Sequence, residues 1–233
     1  MEGLLKSRLN DVGEIKNMKT RIWGLGLLLT IAGNVSAMPF VLDFEGLDDG
    51  EAIENFYNGG TSENGNSGTN FGVTFATDTL ALIDEDAGGF GNFGGEPSPD
   101  TAMFFLTGTS SIMNVAAGFD TGFSFFYSAI FNPGSLNVYD GLNGTGSILA
   151  SLDMPLTTFA GAPDPNGAFS PFVALGVGFA GTAKSVSFAG VQNQIAFDDV
   201  TFGAASVVPL PPAVWLFGSG LLGLVGMARR KIG

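Results

Sequence analysis

Between residues 38 and 207 the chain offers runs too short and too evenly alternating to fold as anything but β-strands. Phe40, Leu42 and Phe44 share one parity, with Asp43 and Glu45 on the other. Successive strand residues point to opposite faces, so this pattern describes a half-buried strand. Phe71, Val73 and Phe75 repeat it. Comparable runs occupy 79–83, 101–106, 111–117, 122–128, 135–140, 147–153, 169–178, 183–188 and 195–202, separated by Gly, Asn, Asp and Pro clusters. No sustained 3.6-residue period and no internal repeat interrupts the series. About ten short strands with turn-rich joints predict an all-β fold, an antiparallel β-sandwich of jelly-roll type. Twenty-one phenylalanines in this region, with no Trp or Cys, make Phe its core filler.

The two ends read as targeting segments. Met18-Lys19-Thr20-Arg21 is a basic n-region, Ile22–Gly33 an apolar h-region, and Val35-Ser36-Ala37 a small-residue close. This predicts a helical Sec signal peptide cut after Ala37, with Met18 as the true start of translation. At the other end, Val208-Pro209-Leu210-Pro211-Pro212 cannot be helical, because proline lacks a donor and restricts its neighbours. Ala213–Ala228 then carries no charge, and Arg229, Arg230 and Lys231 follow. With the flanking 207–212 the uncharged run approaches the roughly 20 residues a membrane span needs, and the cations belong on the cytoplasmic side. Three parts result: an extension and signal peptide over 1–37, a passenger domain over 38–207, and a tail over 208–233 with a transmembrane helix.

From Val208 to Lys231 the tail resembles the PEP-CTERM sorting signal of Gram-negative bacteria. The matching features are the Val208-Pro209-x-Pro211 box, the run through Gly218, Gly220 and Gly223, and the basic end at Arg229-Arg230. Leu210 stands where that family's name-giving glutamate would be. The resemblance implies Sec export, transient anchoring in the inner membrane, processing by a membrane-embedded exosortase, and delivery to the cell surface or extracellular matrix. A permanent single-span anchor is the alternative.

Charge and composition narrow the chemistry of the passenger. It holds 19 acidic residues against one cation, Lys184. That imbalance disfavours nucleic acid and anionic surfaces as partners. The whole chain has no His and no Cys, and the passenger has no Arg. These absences exclude Ser-His-Asp and Cys-His nucleophiles, conventional zinc sites and guanidinium clamps. Two carboxylates would suffice for a glycosidase, but no pair is singled out for that role, so a non-catalytic protein is expected.

Oxygen ligands are what remain, and oxygen suits Ca²⁺. Asp43 and Glu45 share the polar face of the first strand. Asp198 and Asp199 interrupt the last, where apolar parity passes from odd (Ile195, Phe197) to even (Val200, Phe202). Either both faces are buried there or a bulge sits at the aspartates. First and last strands lying side by side would gather all four carboxylates, and a cation would relieve their repulsion. The runs 42–47, 71–75 and 197–202 also look similar to calcium-stabilised, carbohydrate-binding-module-like jelly rolls and to many PEP-CTERM passengers. That likeness implies a structural metal role for Asp43, Glu45 and Asp198. Asp84-Glu85-Asp86 lacks EF-hand spacing and reads as a solvated turn.

Three loops remain, at 58–70, 85–100 and 160–168. They read first as disordered surface loops, and alternatively as a variable rim around a binding face. The expected function is an exported, non-catalytic surface or matrix protein associated with exopolysaccharide. A lectin-like carbohydrate-binding module is the alternative, with only Tyr57, Tyr127 and Tyr139 as amphipathic rings. The tail type also carries the label of an ice-binding protein C-terminal domain, but ice binding needs a regular ladder of exposed Thr that the scattered threonines do not supply.

Overall fold

The computed structural model describes residues 39–157 and 167–206. The signal segment with its Ala37 boundary lies outside them, as does the whole sorting tail. Among the described residues eleven strands form: β1 Phe40–Leu42, β2 Val73–Phe75, β3 Thr79–Ile83, β4 Thr101–Phe105, β5 Ser110–Phe119, β6 Gly122–Ser128, β7 Gly134–Tyr139, β8 Ile148–Met154, β9 Val173–Gly178, β10 Ala183–Ala189 and β11 Ala196–Phe202. Every run read from the sequence appears as a strand. The largest differences are at β1 and β9. β1 stops at Leu42, and the chain turns away two residues later, where Phe44 takes the left-handed region at φ 59°.

The strands build two antiparallel sheets. One runs β3-β4-β11-β6-β9, with β1 also paired to β11; the other runs β2-β5-β10-β7-β8. They face each other as a β-sandwich. Odd residues of β6 (Phe123, Phe125, Tyr127) and even residues of β10 (Val186, Phe188) meet between them. Phe188 from the second sheet packs against Phe123, Phe125 and Phe197 of the first, with ring centroids 5.0–6.0 Å apart. Phe thus fills the core as its abundance requires, each buried ring contributing about 1.5–3 kcal/mol.

A second, smaller apolar cluster covers the outer face of the first sheet. Phe93, Ala102, Phe172 and Ala196 are its buried members. Phe93 comes from the loop between β3 and β4, which is therefore packed rather than disordered. The loop at 58–70 is also folded. Gly68 N–H donates to the Phe56 carbonyl, and the Asn66 amide donates to both oxygens of buried Glu51. Both corrections have one cause: Gly- and Asn-rich segments can satisfy their polar groups locally when a few anchors dock on the sandwich. Of the third loop only 167–168 are described.

β1 pairs with β11 in antiparallel register, Phe40 opposite Phe202. The Phe40 ring stacks between Phe71 and Phe202, 4.7 Å from each. The first and last strands of the described domain are therefore neighbours. Beyond β11 the backbone crosses β6 and β9, where a Cβ on Gly122 would lie 2.5 Å from Ala205 N, so only glycine fits.

Candidate metal centre

The centre arises where β11 changes partner along one edge. Phe197 pairs with Met103 of β4, whereas Val200 pairs with Leu42 of β1. Along the other edge Asp198 faces Phe126 and Thr201 faces Ser124, so β11 holds one extra residue. That is a bulge, and Asp199 within it sits at φ 46°. Both alternatives raised by the parity change hold, since β11 is also buried on both faces except at Asp199. The bulge turns Asp199 out of the ladder towards the gap between β1 and β4.

Asp43 and Glu45, leaving β1, fill that gap. One Glu45 oxygen accepts N–H bonds from Asp100 (3.0 Å) and Thr101 (2.9 Å). It thereby caps the start of β4. Asp43 Oδ1 accepts from the Tyr57 hydroxyl at 3.3 Å, and that hydroxyl accepts from Phe44 N–H at 2.7 Å. Tyr57 thus fixes the strained turn at Phe44. Burial, then the charge of Asp43, raises the Tyr57 phenol far above its ordinary range, so the hydroxyl keeps its proton.

The two aspartates of the bulge differ sharply. Asp198 is fully buried and accepts from Ser98 N–H, the Ser98 hydroxyl and Asp199 N–H. Burial, reinforced by the charge of Asp199, pushes its pKa well up, against the lowering effect of Ser98. Asp198 therefore works as an internal anchor for the 85–100 loop. Asp199 is pushed up to about 6 by burial first, then by the charges of Asp43 and Glu45. Its Oδ1 is buried without a hydrogen-bond donor. Lys184, the one cation among the described residues, lies on the other sheet.

The fold thus brings Asp43, Glu45 and Asp199 into electrostatic contact. Among the described residues, however, no three acidic side chains converge closely enough to form a ready-made metal cage. Asp199 offers a buried oxygen with no donor beside the carboxylates of Asp43 and Glu45, whereas the oxygens of Asp198 are committed to Ser98. Sequence reading missed Ser98 and Tyr57, because their partners lie 100 and 14 residues away. Asp84, expected to be solvated, is 2% exposed, and its Oδ1 accepts from Glu85 N–H. Tyr57 and Tyr127 are buried, so neither offers a platform to a sugar.

No family model and no curated protein matches the chain. Among solved structures, it is similar to the K2 cleaved adhesin domain of Lys-gingipain, with 14% identity, TM-score 0.42, and coverage of 71% of this chain and 97% of that one. It is also similar to a carbohydrate-binding module of a Cellvibrio mixtus lichenase solved with cellotriose (10% identity, TM-score 0.33, 54% and 86% covered). A third is a Bacillus subtilis arabinoxylan arabinofuranohydrolase solved with cellotetraose (16% identity, TM-score 0.35, 55% and 25% covered).

Proposed function

We propose that this chain is an exported, non-catalytic protein of the cell surface or extracellular matrix, sorted by an exosortase and stabilised by Ca²⁺. The observation that supports the reading is the uninterrupted resemblance of Val208 to Lys231 to a sorting signal, in a chain whose segment up to Ala37 reads as a Sec signal peptide. The passenger's excess of negative charge suits solubility outside the cell and attraction of divalent cations. Calcium, held by Asp199 with Glu45 and Asp43, would neutralise the carboxylates at the bulge and tie β1, β4 and β11 together.

Mass spectrometry of secreted material tests the sorting step. The expected form begins at Met38 and yields no peptide beyond Pro209–Pro212. Recovery of Arg229–Lys231 from secreted protein overturns it. Recovery of that segment only from membranes supports the permanent anchor instead.

A further inference from the structure

We propose that the end of the sandwich opposite the chain termini carries a binding site for a neutral saccharide. Four chain segments meet there: 89–95, 129–133, 169–172 and 190–195. None contains a charged residue, in a domain with 19 acidic ones. Their polar side chains are mainly amides, and Phe is the commonest of their apolar ones. Phe93, Phe104 and Phe169 floor a shallow depression of about 20 Å³, and the exposed amides Asn92 and Asn193 stand at its rim. Beside it Phe131 is 63% exposed and meets Phe169 edge to face, with centroids 5.8 Å apart.

The floor is built rather than incidental. Phe169 N–H donates to the Asn92 carbonyl and Gly94 N–H to the Phe169 carbonyl, so the two loops form one backbone unit. Asn193 holds a left-handed conformation at φ 56°, fixed by its N–H on the Phe105 carbonyl. The Asn132 amide donates to Gln194 at 3.2 Å, joining the remaining two loops.

This chemistry selects one class of ligand. An exposed aromatic face accepts the apolar face of a pyranose ring, and amides offer donor and acceptor side by side for its hydroxyls. With no cation present and a strongly negative domain around it, an anionic polysaccharide is repelled. The depression is too small to enclose a sugar, so a ring would lie across its mouth against Phe169 and Phe131, beside the rim amides. β11 runs from Ala196 at this end to Phe202 beside Phe40, about 20 Å away. Only the outward orientation of the site rests on the proposed anchoring; the site itself does not.

The test uses the purified full-length chain, titrated with neutral glucan, mannan, galactan and xylan tetrasaccharides and with polygalacturonate as the anionic arm. Saturation-transfer NMR and calorimetry read the binding. The expected result is binding of at least one neutral tetrasaccharide and none of polygalacturonate. Phe131→Ala should weaken it at least tenfold, as should Asn193→Gly, which keeps the backbone conformation. Ile148→Ala, 55% exposed on the other sheet, should leave it unchanged. Absence of neutral-sugar binding, equal binding by Phe131→Ala and Asn193→Gly, or a Phe131→Ala variant that instead dissociates a dimer would each overturn the proposal. None of these outcomes bears on tail cleavage or on calcium.

Discussion

The Ser98 hydroxyl lies 2.8 Å from both carboxylate oxygens of Asp198 and 3.0 Å from the carbonyl of Asp43. One hydroxyl proton cannot serve all of these acceptors. If Asp198 is protonated, as its burial and raised pKa favour, its own O–H donates to Ser98 and the Ser98 proton goes to Asp43. A neutral Asp198 then closes a relay from β11 through the 85–100 loop to the end of β1.

This relay predicts an unusual tolerance. Asp198→Asn keeps a donor for Ser98 Oγ and an acceptor for Ser98 N–H, losing only the acceptor of Asp199 N–H, so it should cost about 1 kcal/mol in urea unfolding. Ser98→Ala leaves the buried carboxyl and the Asp43 carbonyl short of a partner and should cost about 1–3 kcal/mol. A loss on Asp198→Asn larger than that on Ser98→Ala would show that the group is buried as an anion.

Strand positions were legible because alternation is a local signal. Phe188 and Val186 declare their face within one segment, and β3 and β6 match the sequence reading residue for residue. The break at Asp198-Asp199 was legible for the same reason. What stayed hidden depends on pairing between distant segments. Phe44 is a strong strand former, yet Tyr57 holds its N–H in a turn. Nothing near residue 98 signals that its hydroxyl meets a carboxylate 100 positions later. Equal-looking aspartates at 198 and 199 divide into an anchor and an open oxygen only once the bulge orients them.

The core predicts its own hierarchy. Phe188 is fully buried against three other rings, so Phe188→Ala should cost about 3–5 kcal/mol in urea denaturation. Phe90 is 89% exposed, and Phe90→Ser should stay within about 0.5 kcal/mol. Comparable losses at both sites would contradict the described packing.

Acid should stabilise the calcium-free chain over a narrow window. Asp199 rises from 3.8 to about 6 on folding, so between those values the folded chain binds more protons than the unfolded one. In chelator, the part of the stability that comes from Asp199 therefore falls as pH rises from about 4 to about 6 and is absent above. Asp198 acts in the same direction. After solvent screening the part from Asp199 should be on the order of 1 kcal/mol. Melting curves in chelator at pH 5 and 7 measure it, with Asp199→Asn reducing the difference. A melting temperature that rises steadily from pH 4 to 7 would contradict it.

Calcium should reverse that trend, and the two aspartates of the bulge should separate in their response. The ion competes with protons for the carboxylates, so its stabilising increment should be small at pH 5 and full at pH 7. At about 100 times the dissociation constant, binding to the folded state alone adds roughly 2.7 kcal/mol. For a domain of this size that is on the order of 5–10 °C. Asp199 has the buried oxygen without a donor, beside the charges of Asp43 and Glu45. Asp199→Asn should therefore abolish most of the increment, and Glu45→Gln should reduce it. Asp198→Asn should preserve it, because those oxygens already serve Ser98, which revises the ligand role the sequence suggested for Asp198. NaCl at matched ionic strength separates site binding from general screening of the negative domain. An increment equal in Na⁺ and Ca²⁺, or one that survives Asp199→Asn, would leave the bulge as a hydrogen-bonded joint with no metal in it.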